Sequence, residues 1–365
     1  MLGRFLGWVG LAVICSIVIK LLLVLDLNKK VYNHQPGLCE YVGGVEEGSE
    51  DLELLPDGSV IITSGRRYVS GEGLENVKGK LFLYNVAAEK PSYKALQLSI
   101  EGTDFDPDSF NPHGLTSFTS KGRTTVYVVN HAPGGDTVEC FTYNKDKKSL
   151  LHTKTIRNSY FNDLNDIVAV GPDKFYATNT VYFHNSVLRT MELLLLLNLG
   201  NVIYFDGKEA KTVDSWALTP NGVAISKDKK HLYVSMPMQE IIRIYNISSD
   251  FSLLKHADMP ILTSVDNIFV DEKGELWMGA HPVAYQTAQH RHNPKTEPAP
   301  SQVLHIRIQG AQDRWVITEP FANDGTTGNI PLWASTSALF HKDQLLIGTL
   351  THKLLHCSIL NPELN

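Results

Sequence analysis

A pattern of short strand, tight turn and short strand recurs six times along this 365-residue chain, and it limits what the chain can fold into. Residues 264–282 show it clearly, because alternating apolar residues lead into a Glu-Lys-Gly turn and then into a second apolar run. Such a unit is typical of a β-hairpin. The six copies occupy residues 47–65, 111–131, 164–179, 219–247, 264–282 and 335–359.

First strands that recur about every 45 to 70 residues are typical of repeat folds in which no single unit buries both of its faces. Closing six such units into a ring leaves few exposed strand edges. We therefore predict an all-β fold, a six-bladed β-propeller over residues 39–360. A protein of two β-sandwich domains is the alternative.

The amino terminus carries an apolar segment, residues 5–25, interrupted only by Ser16 and Lys20. About 20 such residues suffice to span a bilayer. No small-residue cleavage site follows, which favours an uncleaved signal-anchor or transmembrane helix in residues 1–25 over a cleaved signal peptide. Basic residues flank the segment on both sides and leave its orientation open. Residues 26–38 are predicted to be a polar linker.

The cysteines and one sequon bear on the compartment. Cys39 and Cys357 flank the predicted propeller, and such a pair suits a disulfide that requires an oxidising environment. Four unrelated thiols, with Cys15 and Cys140, are the alternative. The sequon at Asn246 predicts glycosylation and agrees with a single-pass membrane protein whose propeller is lumenal or extracellular.

Two segments depart from the strand pattern. Residues 187–199 include five consecutive leucines and predict an apolar helix, either packed across the top of the propeller or forming a lid or a membrane-surface contact beside the site. Residues 284–301 predict a polar loop with solvated His290 and His292. The formal net charge of −6 provides no basic surface, so nucleic acid is not an expected partner.

Polar residues stand where most of the first strands begin. In a propeller the first strand of each blade lines the central channel, so these residues are expected to converge at one mouth. Carboxylate and amide oxygens in such a cluster are what Ca²⁺ prefers, whereas zinc prefers His and Cys. A single such residue before a strand is usually a turn residue, but the recurrence in four blades favours a calcium site. The residues are Glu50, Asp51, His113, Asn165, Asp166, Asn221, Asp266 and Asn267.

The sequence resembles the paraoxonase/arylesterase family over nearly all of residues 39–357. The motifs that carry the resemblance occur in the family's order: GSEDLELLPDGSVIITSG, FNPHGLTSFT, VVNHAPGGDTVE, LNDIVAVGPDKFYATN, NGVAIS, VDNIFVDEKGELWMGAHP and LLIGTLTHKLLHC.

This resemblance implies a propeller with two calcium ions that hydrolyses lactones and aryl esters. The ligands that match the catalytic calcium are Glu50, Asn165, Asn221, Asp266 and Asn267, and those that match the structural calcium are Asp51, Asp166 and the carbonyl of Leu115. His113 and His131 match a dyad that activates water, and His281 matches a position near the substrate. The resemblance also implies the Cys39–Cys357 disulfide and a retained apolar amino terminus.

Two features leave a second function open. Thr180 and Val181 stand where characterised enzymes of the family usually carry an Asp-His pair. The family also includes nematode membrane proteins that assist ion-channel assembly, which implies that a member can act as a non-catalytic accessory for membrane-protein clients. The retained His113 and His131 favour the enzyme.

Overall fold

The computed structural model describes residues 2–67, 77–86, 93–310 and 312–360, and these form one long amino-terminal helix and six β-sheets. The helix α1 (Leu2–Val24) precedes all strands. The chain then forms β1 (Cys39–Tyr41), β2 (Leu52–Leu54), β3 (Ser59–Ser64), β4 (Lys80–Asn85), β5 (Leu96–Gln97), β6 (Ser99–Glu101), β7 (Pro112–Ser120), β8 (Arg123–Ala132), β9 (Gly135–Asn144) and β10 (Ser149–Ile156).

The second half continues the same alternation. Its strands are β11 (Leu164–Gly171), β12 (Lys174–Asn179), β13 (Gly200–Phe205), β14 (Ala210–Ala217), β15 (Val223–Ile225), β16 (His231–Met236), β17 (Ile241–Ile247), β18 (Leu253–Pro260), β19 (Ser264–Val270), β20 (Leu276–His281), β21 (Ser301–Gln309), β22 (Arg314–Asn323), β23 (Ser335–His341), β24 (Gln344–Thr349) and β25 (Leu355–Ser358). Two further helices are α2 (Ser186–Leu194) and α3 (Ala284–His292).

Each sheet is one blade of a six-bladed propeller, as the hairpin repeats predict, and the two-sandwich alternative is wrong. The blades are β2–β5, β6–β10, β11–β14, β15–β18, β19–β22 and a last sheet in the order β1-β25-β24-β23. Apolar side chains fill the space between neighbouring blades; Phe161, Phe175 and Phe205 do so beside Tyr127 of the preceding blade. Burying large aromatic side chains there is a major source of stability.

The last blade closes the ring with strands from both ends of the chain. β1 pairs antiparallel with β25, and Cys39 and Cys357 are opposite each other and joined by a disulfide across 318 residues of sequence. In the chain-entropy model, a loop of that length stabilises the fold by roughly 5–6 kcal/mol. The pairing predicted from the sequence is therefore confirmed. Cys140, within β9, is a buried free thiol.

Two sequence predictions outside the blades need correction. Residues 187–199 do form a helix, but α2 already ends at Leu194, because Leu196 adopts a positive φ of 52° that breaks the helical path. The predicted loop contains α3, and His290 is fully buried rather than solvated. Its ring nitrogens lie 2.6 Å from the Glu297 carbonyl and 2.7 Å from Thr351 Oγ1.

The segment after α1 lies against the propeller. Asp26 is buried, and its Oδ2 accepts a hydrogen bond from the Ala284 backbone. Lys29 Nζ lies 2.7 Å from Asp26 Oδ1 and 2.7 Å from Glu240 Oε1. His34 forms an antiparallel bridge with Ala322 of β22. These contacts fix the end of α1 to the fourth and fifth blades.

Candidate active site at the mouth of the central channel

The innermost strands of the blades lie at the centre of the ring, and three of them carry a β-bulge at the predicted site residues. These innermost strands are β2, β7, β11, β15, β19 and β23. Pairing shifts between Pro112 and Leu115, between Leu164 and Ile167, and between Val265 and Ile268. A bulge bends the strand and redirects its side chains. The bulged residues are His113 and Gly114 in β7, Asn165 and Asp166 in β11, and Asp266 and Asn267 in β19.

Glycines allow neighbouring first strands to approach closely at this level. A Cβ on Gly114 would lie 2.6 Å from Asp166 Cα, and one on Gly222 would lie 2.5 Å from the Asp266 carbonyl oxygen. Neither backbone atom can move aside as a flexible side chain would, so glycine is required at both positions. The approach brings the polar residues of adjacent blades together, which the sequence pattern predicts.

Five side-chain oxygens at this mouth are buried and have no hydrogen-bond partner among the described residues. They belong to five of the predicted calcium ligands: Glu50 Oε2, Asn165 Oδ1, Asn221 Oδ1, Asp266 Oδ1 and Asn267 Oδ1. A buried polar atom without a partner costs about 1–3 kcal/mol. A set of five hard oxygens, two of them from carboxylates, matches the donors of a Ca²⁺ site.

Neighbouring groups orient some of these oxygens. Asn165 Nδ2 donates to Thr180 Oγ1 at 3.1 Å, and Asn267 Nδ2 donates to the Glu50 carbonyl at 3.1 Å, which leaves each Oδ1 free. His281 Nε2 lies 2.8 Å from Asp266 Oδ2. Thr180 also donates to the Pro220 carbonyl, so it holds Asn165 against the next blade. Val181 is buried.

Two further carboxylates lie deeper in the channel. Asp51 accepts from the backbone N–H groups of Leu52 and Leu115, and Asp166 accepts from those of Ile167 and Val223. Both line a cavity of about 260 Å³ that continues along the channel. These two acids are the carboxylates assigned to the predicted structural calcium, and Leu115 lies beside them.

Burial and mutual repulsion oppose ionisation of these acids. Burial, with repulsion from Asp266, raises the pKa of Glu50 well above its ordinary value. Burial, with repulsion from Asp51, does the same to the pKa of Asp166. The pKa of Asp51 rises to about 7 for the same main reason. A cation at the mouth would offset the repulsion.

His113 and His131 form a chain of close contacts at the rim of this cluster. His113 Nε2 lies 3.2 Å from Glu50 Oε1, and His113 Nδ1 lies 3.0 Å from His131 Nε2. His131 Nδ1 lies 2.8 Å from Asp136 Oδ1. Burial lowers the pKa of His113 well below its usual value, so its imidazole is neutral at physiological pH. A neutral imidazole can accept a proton.

Sequence reasoning did not identify several residues that support the site. Asp136 contacts His131, Thr178 Oγ1 donates to the Asn221 carbonyl, and Thr336 Oγ1 donates to the Glu50 carbonyl. Glu53 Oε1 accepts from both the backbone and the hydroxyl of Ser117, and burial raises the Glu53 pKa to about 7. The spacing of His131 and Asp136 around a Gly-Gly turn was the one available signal, because it places them opposite each other in a hairpin.

A second acid–histidine cluster lies in the fifth blade, away from the predicted ligands. Atoms of Asp271, Glu275 and His305 lie within 4.8 Å of one another. Asp271 accepts from Trp277 Nε1 at 3.0 Å, and His305 Nε2 lies 2.8 Å from Glu275 Oε2. Since these groups satisfy one another, the cluster is explained as a hydrogen-bonded network.

Comparison with known proteins decides the family. The sequence profile of the Arylesterase family matches residues 30–359. The chain belongs to the paraoxonase/arylesterase family. It is 39% identical over 324 residues to human serum paraoxonase/arylesterase 1, a match that covers 88% of each chain.

Two further comparisons cover most of the chain. Mechanosensory abnormality protein 6 of Caenorhabditis elegans is 33% identical over 368 residues, covering 98% of this chain and 96% of that one. Among solved structures, a luciferin-regenerating enzyme superposes with a TM-score of 0.53 at 15% identity, covering 89% of this chain and 96% of that one. The last likeness shows the shared propeller fold alone.

Proposed function

We propose that this member of the paraoxonase/arylesterase family is a calcium-dependent hydrolase of lactones and aryl esters. The observation that carries the proposal is the set of five unpartnered oxygens at the channel mouth, directly beside the neutral His113. Relatives whose names include arylesterase and lactonase support the substrate class.

The residues present fit two cation sites along the channel. The five oxygens of the mouth would hold one ion, while Asp51, Asp166 and the carbonyl of Leu115 would hold a second, deeper one. When bound by these oxygens, a calcium ion would supply electrostatic stabilisation for the negative charge that develops on the carbonyl oxygen of the substrate. The deeper ion would serve the fold by neutralising two buried carboxylates.

The histidines supply the proton transfer. His113 Nε2 takes a proton from water as the water oxygen bonds to the carbonyl carbon of the substrate. The proton then passes to the departing oxygen as the carbon–oxygen bond of the ester breaks, which opens the ring of a lactone or releases a phenol. His131 supports His113 through the 3.0 Å contact between their rings.

The test is hydrolysis of a panel of lactones and phenyl acetate by the full-length protein in detergent. We expect turnover that is lost when calcium is removed and restored when it is added back. The same protein without calcium, returned to the assay with Mg²⁺, is the matched control, because Mg²⁺ demands a smaller octahedral site. No calcium-dependent turnover of any substrate would reject the enzyme and favour a non-catalytic accessory for membrane-protein clients.

We also propose that α1 anchors the protein in a membrane, with the propeller on the lumenal or extracellular side. Residues Gly3–Val24 are long and apolar enough to span a bilayer and pack against no other part of the described chain. The disulfide supports an oxidising compartment. In each blade the inner strand begins at the mouth, so the second strand returns to the mouth. Since α2 follows β12 and α3 follows β20, both helices lie at the mouth. The end of α1 lies beside α3, which supports a channel mouth that faces the membrane.

Exposed apolar side chains surround that mouth and support the same orientation. Val187, Met191 and Leu194 are exposed on α2. Trp216, near the end of β14, is 72% exposed, and Leu262, in the connection from β18 to β19, is 74% exposed. Such a surface favours contact with lipid.

Glycosylation at Asn246 tests the orientation. This residue is partly exposed in β17. In cells, we expect peptide N-glycosidase treatment to increase the electrophoretic mobility of the wild type and to leave Asn246→Gln unchanged, while alkaline carbonate extraction leaves both in the membrane pellet. The orientation would be the reverse if the wild type carried no glycan and its propeller were digested by protease added to cells with a permeabilised plasma membrane. Release of the wild type by carbonate would exclude the anchor.

A further inference from the structure

Asp136 is opposite His131 in the hairpin of β8 and β9. The register pairs the two residues directly across the strands, and their side chains meet with His131 Nδ1 2.8 Å from Asp136 Oδ1. The carboxylate side chain is only 10% exposed, so this contact is shielded from water. Hydrogen bonding to His131 and to the Leu164 backbone outweighs burial and keeps the pKa of Asp136 below its usual value.

An ionised carboxylate only accepts hydrogen bonds, and this fixes the proton on His131. His131 Nδ1 must carry the hydrogen of this contact, which leaves Nε2 as the accepting nitrogen. His131 Nε2 can then only accept from His113 Nδ1, 3.0 Å away. The Leu164 carbonyl, an obligatory acceptor, also faces His113 Nδ1 at 3.4 Å. Both neighbours therefore require the hydrogen of His113 on Nδ1, which leaves its Nε2 unprotonated. Glu50 Oε1 lies 3.2 Å from Nε2 but without the geometry of a hydrogen bond, so this contact does not require a hydrogen on Nε2.

The peptide of Leu164 in β11 fixes both ends of this chain of contacts. Its N–H donates to Asp136 Oδ2 at 2.6 Å, while its carbonyl faces His113. Each oxygen of Asp136 thus has one defined donor. This arrangement ties the second blade to the third at the channel mouth.

We propose that Asp136 is a positioning residue that sets the tautomer of both histidines and so directs the lone pair of His113 Nε2 toward the reacting water. The consequence for catalysis rests on the proposed hydrolase function, whereas the direction of the hydrogen bonds does not. Asp136 itself contacts neither the five unpartnered oxygens nor the substrate position beside His113.

The test compares Asp136→Asn with Asp136→Ala in the full-length, calcium-loaded protein. In the Asn variant, Oδ1 accepts from the Leu164 N–H and Nδ2 donates to His131 Nδ1, which reverses both histidine tautomers and places the hydrogen on His113 Nε2. We expect kcat to fall about 10²–10⁴-fold, the range for loss of a general base, with KM and calcium affinity near wild type. The Ala variant imposes no tautomer and is expected to lose less activity than Asn.

This order separates positioning from packing. If Asp136 only filled space, Asn would be the milder substitution because it keeps the shape and the bond to Leu164. The proposal is overturned if kcat falls as far in the Ala variant as in the Asn variant, or if the Asn variant keeps the wild-type kcat. The matched control is Asp173→Asn, which is expected to keep wild-type activity. The Asp173 carboxylate lies at the far turn between β11 and β12 and accepts from the Tyr127 hydroxyl.

A second measurement is independent of turnover. Ring ¹⁵N shifts of selectively labelled histidines report which nitrogen carries the hydrogen, and we expect the hydrogen of His131 on Nδ1 in the wild type and on Nε2 in Asp136→Asn. An inactive wild type that shows this exchange rejects the hydrolase while the assigned hydrogen-bond direction stands. Activity loss in Asn without the exchange overturns the role of Asp136.

Discussion

Replacing His113 by Gln is expected to lower kcat toward lactones and aryl esters about 10²–10⁴-fold, since a general base contributes on that scale. A glutamine amide can still donate to the Leu164 carbonyl, but it cannot take a proton from water at neutral pH. His113 is buried, and the lowered pKa that burial causes keeps the wild-type imidazole in the accepting form. The measurement is the steady-state rate with saturating calcium.

The Asp266→Ala variant serves as the comparison, because it is expected to lose the metal. This variant removes an unpartnered oxygen of the mouth and the partner of His281, so calcium affinity, calcium-dependent thermal stability and turnover should fall together. His113→Gln should instead keep the calcium affinity and the melting temperature. Retention of more than a tenth of wild-type kcat in His113→Gln would exclude this imidazole as the base.

The hairpin at residues 264–282 shows how much the sequence could predict. Its alternation predicts β19 and β20, and the polar pair before the apolar residues predicts side chains at the channel mouth. The sequence does not reveal that Asp266 and Asn267 occupy a bulge, because a bulge depends on how two strands pair. The repeat was sufficient to predict the propeller fold and the convergence of the polar residues, because the same pattern recurs at the same position in several blades and one fold accommodates all copies.

Contacts between blades were beyond the reach of a local pattern. Asn165 donates a hydrogen bond to Thr180, which directly follows the neighbouring strand β12. Thr180 in turn donates to the Pro220 carbonyl, in the connection to the next blade. Similarly, polarity around His290 predicts solvation, but packing of α3 against the Thr351 region buries it. Tertiary contacts of this kind have no signature in spacing along the chain.

The calcium-free protein is expected to lose stability as pH rises from about 4 to above 7, relative to the calcium-loaded protein. Burial raises the pKa of Asp51 from 3.8 to about 7 and that of Glu53 from 4.5 to about 7 in the fold. An acid whose pKa is raised on folding stabilises the fold while protonated, and this contribution is lost as pH rises through the folded pKa. For Asp51 the shift corresponds to about 4 kcal/mol, since one pKa unit is about 1.4 kcal/mol.

The measurement is the difference in melting temperature between calcium-loaded and metal-free protein at each pH. Taking the difference matters because buried histidines such as His352, whose pKa burial lowers to about 4, destabilise both forms as pH falls. The difference should widen by several degrees between pH 5 and 8, as calcium replaces the protons that the acids release. Glu53→Gln, which keeps an acceptor for Ser117, should raise the melting temperature of the metal-free protein at pH 8 and leave calcium affinity unchanged. A difference that is constant with pH would show that the buried acids are not where calcium binds.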